Sequence, residues 1–161
     1  MPASSASPPA AVKPLATNRK ARYDYHILEK MEAGLALRGG EVKSIRAGEV
    51  SLGESFARIE GGQVYLHGLH VQPYACAQHV AHDPLRPKQV LLHRREIQRL
   101  ISELTQRGRT LVPLRLYLKR GLVKAELALC AGKHAGDKRE TLRRQTAERE
   151  ARRAIADRTR R

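Results

Sequence analysis

Apolar and polar positions alternate through most of the middle of the chain, which predicts short strands and few helices. "RYDYHILEK" and "AGLALRG" read as two short strands meeting around residues 31–33. In "GEVKSIRAG", Val42 and Ile45 stand three apart, a spacing that suits one or two helical turns ending at Gly48. "SFARIEGGQVYLHGLHV" is the clearest local unit: two alternating runs joined by Gly61 and Gly62, the pair that tight hairpins favour. After a long loop, "VLLHRREIQRLISELTQRG" places Ile97, Leu100, Ile101 and Leu104 on one helical face, with Gly108 as the stop. "TLVPLRLYLKRGLVKAELAL" predicts a second hairpin. Val112, Leu114, Leu116 and Leu118 face one way and are answered by Val123, Ala125, Leu127 and Leu129, while Arg115, Lys124 and Glu126 point outward.

Six short strands and two helices within residues 18–131 predict a mainly β domain with flanking helices. A small oligonucleotide-binding-like closed β-barrel is expected, because closure leaves no sheet edge exposed. Residues 1–17, "MPASSASPPAAVKPLAT", offer Ala, Ser and Pro but nothing to build a core, and read as a disordered extension. They lack the charged start and apolar centre of a secretory signal. No apolar run approaches the ~20 residues that span a bilayer.

Charge changes the picture more than any motif. Lys and Arg number 31 against 16 Asp and Glu, a net +15. Residues 1–17 contribute +1, residues 18–131 contribute +8 and residues 132–161 contribute +6. Such a field favours a polyanionic partner. Five Tyr, one Phe and no Trp are few rings for a single-strand binder that stacks bases, although Tyr23 and Tyr25 share a predicted strand face. A folded RNA, read through shape, phosphates and 2′-hydroxyls, is favoured over single strands. Neutralising about six phosphates would make log K fall by about four to five per decade of salt. A membrane surface fits poorly, because the tail has no bulky apolar face.

Catalytic chemistry finds no foothold. The chain has no G-x-x-x-x-G-K-[ST] loop, no G-x-S-x-G elbow and no H-E-x-x-H. Cys76, His79 and His82 in "CAQHVAH", with His70 or Cys130, have the chemistry of zinc ligands. They lie in a predicted loop without a second close pair, so neither metal nor cofactor is expected. His82 and Asp83 are adjacent on an extended segment and point apart; Asp83-Pro84 reads as the start of a turn. The expected protein is not an enzyme. Two distant cysteines suit a reducing, cytoplasmic compartment.

The tail, residues 132–161, is built for a helix that has little to bury. Asp137 stands three residues before Glu140, the spacing of a capping pair. Glu140 with Arg144 and Glu148 with Arg152 are favourable i, i+4 pairs. Leu142, Ala147, Ala151 and Ile155 form only a thin apolar stripe. Disorder in isolation and helix on an anionic surface is the expectation.

In order along the chain, "NRKARYDYHILEKMEAGLALRGGEVKSIRAG", "SLGESFARIEGGQVYLHGLHVQPY", "HDPLR…LLHRREIQRL", "LVPLRLYLKRGLVKAELAL" and "GKHAGDKRE…AERE" resemble the SsrA-binding protein family, also called small protein B. The resemblance runs from about Asn18 to Glu150. It implies a bacterial protein, expected as a monomer, whose barrel holds the tRNA-like domain of transfer-messenger RNA. It also implies a tail that enters the vacant messenger channel and decoding region of a stalled ribosome, against small-subunit ribosomal RNA. The alternative is a ribosomal-RNA-binding translation factor or ribosomal-protein-like module without that RNA specificity.

Asn18, Glu41 and Leu91 fall in the family segments associated with the tRNA-like domain. A carboxylate at position 41 could accept hydrogen bonds from base amino groups or 2′-hydroxyls; alternatively it complements the N-terminus of a short helix. Lys20, Arg22, Lys43, Arg46, Arg86, Lys88 and Lys124 are candidate phosphate contacts. In the tail the resemblance assigns Lys133, His134, Asp137, Lys138, Arg139, Arg143 and Arg144 to the ribosome. Two departures stand out: "RPKQVLLH" is less basic than usual, and Gly136 occupies a slot where the family carries His or an aromatic ring.

Overall fold

The structure, a computed structural model, describes residues 12–74 and 83–159. The chain opens with β1 (Pro14–Thr17), then a single helical turn α1 (Ala21–Asp24) that leads directly into β2 (Tyr25–Leu35). Helix α2 (Gly39–Arg46), the short β3 (Val50–Ser51), the hairpin β4 (Phe56–Glu60) and β5 (Gln63–His67), and the short β6 (His70–Val71) follow. Beyond residue 82 come β7 (Lys88–Leu91), α3 (Arg94–Leu104), β8 (Arg109–Lys119), β9 (Leu122–Gly132) and a long terminal helix, α4 (Ala135–Thr159).

Strand pairing is antiparallel throughout and returns on itself. The order β8-β4-β5-β7-β2-β9 is completed by a β8–β9 pairing, so the neighbour chain forms a ring; β1 lies on β8, and β3 pairs with β6 apart from it. The residues inside this ring are the apolar half of each alternation: Met31, Ala33 and Leu35 from β2, Val64 and Leu66 from β5, and Ala125, Leu127 and Leu129 from β9.

Several expectations require correction. The two short strands expected around residues 31–33 are one, because Met31, Ala33 and Leu35 keep their inward alternation while residues 29–34 stay paired to β9. The preceding "RYD" is helical, so Tyr23 sits on α1 and Tyr25 begins β2, and they do not share a strand face. Residues 14–17, expected within the disordered extension, form β1, where Leu15 and Ala16 pack against the core. Ile101, expected on the buried face of α3, is exposed, while Ile97 and Leu100 are buried.

The β8–β9 hairpin shows how one proline redirects a strand. The register shifts between Pro113 and Arg115. Proline cannot donate to the ladder, and a bulge there lets the strand change face. Leu111 and Leu116 therefore enter the main core, whereas Val112 and Leu114 join Ala21, Ala128 and Cys130 in a second cluster. The expected common face of Val112, Leu114 and Leu116 is split by this shift. The second cluster seats α1 on the hairpin, which fixes where the adjoining basic residues emerge.

Gly61 and Gly62 take φ of 57° and 75° in the first hairpin turn, as their spacing predicts. Gly68 is more constrained: its φ is 72°, and a Cβ would lie 2.5 Å from the Glu54 carbonyl oxygen. Gly68→Ala is expected to lower stability by at least about 2 kcal/mol, combining left-handed strain with a backbone clash. Urea unfolding of the two proteins measures it.

Candidate nucleic-acid interface

Glu41, in the first turn of α2, is committed to the fold. Its side chain is fully buried, at 0% exposure. The Arg86 guanidinium donates from Nε to Oε1 and from Nη2 to Oε2, both at 2.8 Å, and the Arg38 backbone N–H donates to Oε2 at 3.2 Å. Burial pushes the carboxyl pKa up, but the Arg86 fork and the Arg38 N–H outweigh it and hold the group below the usual carboxylate range. Three hydrogen bonds from within the protein engage both carboxylate oxygens, and the side chain has no exposed surface. The role expected for Glu41 as an acceptor for RNA is corrected accordingly, and Arg86 is its partner rather than a free phosphate contact.

Lys88 is corrected in the same way. It is wholly buried, and its ammonium donates to the carbonyls of Leu69 at 3.0 Å and Pro84 at 3.3 Å. Burial lowers its pKa, partly offset by the Glu41 charge. Together Glu41, Arg86 and Lys88 anchor α2 and β7 to the segment at Pro84.

Asn18 is also committed. Its Nδ2 donates to the Pro113 carbonyl at 3.2 Å, its Oδ1 accepts from the Ala21 N–H at 3.2 Å, and its own N–H donates to Leu114 O at 2.7 Å. Both ends of the amide hold α1 to β8 at the bulge.

Leu91 is different: it is 52% exposed on the rim of the sheet, paired with Gly34. A Cβ at Gly34 would meet the Leu91 side chain at 3.4 Å and Lys124 Nζ at 3.8 Å, so the three share one spot. Glu32 lies on the same strand, two residues back. Tyr117 Oη donates to its carboxylate, and Lys119 Nζ donates at 3.1 Å. The Tyr117 bond is the main cause holding Glu32 below the usual carboxylate range, with burial opposing it and Lys119 and Lys124 assisting. Burial and the Glu32 carboxylate push the Tyr117 hydroxyl up. Glu32 keeps a partly exposed side chain. An apolar contact, a cation and a reachable carboxylate thus occupy one outward patch. The parity of β2 contains this signal, since Met31, Ala33 and Leu35 inward put Glu32 and Gly34 outward; splitting the strand in two obscures it.

The remaining cations are spread around the ring. Lys20 reaches Glu54 at 3.4 Å, Lys43 lies over the Tyr74 ring at 5.4 Å, and Arg46 donates to the Gly121 carbonyl at 3.0 Å. The Arg22 side chain is exposed.

At the base of the tail, the sheet domain and α4 touch through polar groups. His26 Nε2 lies 3.2 Å from Asp137 Oδ2, and this bond is the first cause holding the Asp137 carboxyl below its usual range. Lys138 pairs with Asp24 at 3.4 Å and stands 5.7 Å from the centre of the Tyr23 ring. Lys133 Nζ donates to the Arg22 carbonyl at 3.0 Å and to Thr141 Oγ1 at 2.9 Å. Helix α4 starts at Ala135, so Asp137 lies inside its first turn and bonds to His26 rather than pairing with Glu140 as a cap. His134, Arg139 and Arg143 are exposed, and Arg144 meets Glu140 at 3.9 Å. Leu142 and Ile155 are 47% and 66% exposed, so the apolar stripe has no seat.

Cys76, His79 and His82 lie outside the described residues; among the described residues no group of three His, Cys, Asp or Glu is placed to hold a metal. No described helix is long and apolar enough to cross a membrane.

Comparison with known proteins covers sheet and tail alike. The SmpB protein family matches residues 15–157. The SsrA-binding protein of Geobacillus thermodenitrificans (strain NG80-2) is 51% identical over 146 residues, covering 91% of this chain and 94% of the relative. That of Carboxydothermus hydrogenoformans is 51% identical over 143 residues, covering 89% and 96%. A solved chain described as "tmRNA-SmpB: a journey to the center of the bacterial ribosome" superposes with a TM-score of 0.65 at 47% identity, covering 84% of this chain and 96% of that one.

Proposed function

This chain belongs to the SmpB protein family, and from that premise we propose that it binds the tRNA-like domain of transfer-messenger RNA and carries it to stalled ribosomes for trans-translation. One observation carries the reading most directly: similarity to SsrA-binding proteins spans the sheet and the basic tail together, 91% of the chain. The ring of strands supports an oligonucleotide-binding-like barrel as its finer description. Binding and positioning, without catalysis, are the chemistry its described residues support, and the cytoplasm is the compartment that the RNA and the ribosome imply.

On this reading the outward patch of Leu91, Lys124 and Glu32 receives the tRNA-like domain, with Glu32 in the acceptor role that burial denies to Glu41. Lys20, Arg22, Lys43 and Arg46 add phosphate contacts around it. The tail, residues 132–161, serves the ribosome: Lys133, Asp137 and Lys138 set its angle, and Arg139, Arg143 and Arg144 face ribosomal RNA. With so little apolar surface to bury, α4 depends on anionic surroundings for its order.

The test is a binding comparison on the purified full-length chain. Affinity for isolated transfer-messenger RNA should exceed affinity for ordinary tRNA at the same salt, and footprints should fall on the tRNA-like domain. Equal affinity for both RNAs returns the protein to a general RNA-binding module.

A further inference from the structure

Residues of β1, α1, β2, β8, β9 and α4 line an open cleft of about 490 Å³. Arg19, Arg22, Lys30 and Arg115 line it, against a single carboxylate, Glu126. Arg115 is satisfied, since its Nε donates to Glu126 at 2.5 Å. Arg19, Arg22 and Lys30 have no side-chain partner among the described residues, while other cations nearby do: Lys20 has Glu54 and Lys138 has Asp24. The neighbouring cavities differ. One combines Lys20 with Asp24 and Glu54, and the mainly apolar one beside α3 holds only two cations, Arg58 and Arg109, the second of them paired with Glu103.

Three unneutralised cations in one concavity repel each other until an anion enters. Guanidinium forks suit the tetrahedral oxygens of a phosphate, and a cavity of this size accepts a nucleotide-sized segment rather than a lone ion. From α4 the cleft is lined by Gln145, a neutral side chain with two N–H donors. We propose that this cleft binds a backbone phosphodiester of the bound RNA and, through Gln145, fixes α4 against the sheet. The proposal rests on the reading of the chain as a transfer-messenger RNA binder. It adds that RNA binding orders the first half of the tail before any ribosome is met.

Full-length protein and transfer-messenger RNA transcript, titrated across a salt series, decide it. Each lost phosphate contact lowers the slope of log K against log salt by about 0.7–0.9. The Arg19→Gln/Lys30→Gln double variant, which strips the cleft of its hold on that phosphodiester, should therefore lose about 0.7–0.9 from the slope, with affinity falling roughly tenfold at low salt. Gln145→Glu, which leaves the sheet untouched, should bind several-fold more weakly, and Gln145→Arg several-fold more tightly. In the wild type, RNA should slow amide exchange around residue 145; in Gln145→Glu it should not. A wild-type slope in the double variant, or wild-type affinity in both Gln145 variants, overturns the cleft. Failure of the wider reading looks different: the wild type would then show no preference for transfer-messenger RNA over tRNA.

Discussion

A chain ended after Gly132 should keep its affinity for transfer-messenger RNA within about tenfold and lose the rescue of stalled ribosomes altogether. The first half follows from where the RNA-facing groups sit. Leu91, Lys124 and Glu32 are all within the sheet, and the main core contains no residue beyond Leu129. What the truncation removes is eleven basic side chains on a segment with no buried apolar face, together with the neutral wall at Gln145. Long-range attraction weakens, most visibly at low salt, but the patch itself remains. The second half follows because the removed helix is the part of the protein whose cations, Arg139, Arg143 and Arg144 among them, are turned to solvent. Binding assays at two salt concentrations and a reconstituted trans-translation reaction measure the two halves separately. Full rescue by the shortened chain would leave the tail without a task.

Glu41→Gln should cost about 3–5 kcal/mol of stability, the range for removing one partner of a buried pair. The amide leaves Arg86 without its counter-charge and places Lys88 close to an uncompensated cation. The pH dependence has a definite sign. Glu41 is depressed in the folded state, so its contribution is present above the ordinary carboxylate pKa of about 4.3 and is lost as pH falls through the depressed value. Wild-type stability should decline more steeply than that of Glu41→Gln in this acid window. Guanidinium unfolding at pH 7 and at pH 3 reads both effects. RNA affinity of the variant, measured well below its melting temperature, should be close to wild type; a specific affinity loss in a fully folded variant would put Glu41 back among the RNA contacts.

Elements with strong periodicity are legible in the sequence, and those that depend on a distant partner stay hidden. The Gly61-Gly62 hairpin, the helix at Val42 and Ile45, and the long hairpin after Thr110 are all where local chemistry puts them. Strands β1, β3, β6 and β7 have four residues or fewer, too short for alternation to emerge, and exist because a neighbour supplies their hydrogen bonds. The bulge at Pro113 could be suspected from the proline, yet which cluster Leu114 would join depends on α1 arriving from the other end of the chain. For the site, charge alone could not separate Lys88 from Lys124. Both are lysines beside apolar residues, and only the fold puts one ammonium against two carbonyls and the other beside Gly34. Glu41 and Glu32 are confounded for the same reason: an acid among bases reads alike whether it is locked to an arginine or open to a visitor.

The ring of pairings constrains the order of events during synthesis. Strand β2 leaves the ribosome early, but its principal partner is β9, at residues 122–132. Until that strand emerges, β2 and β8 each present an unfilled edge, and such edges invite pairing with other chains. A copy of this protein interrupted before residue 122 therefore cannot close and is prone to aggregate. If the proposed role holds, a factor devoted to clearing unfinished polypeptides would be, when its own translation breaks off, among the polypeptides most in need of clearing.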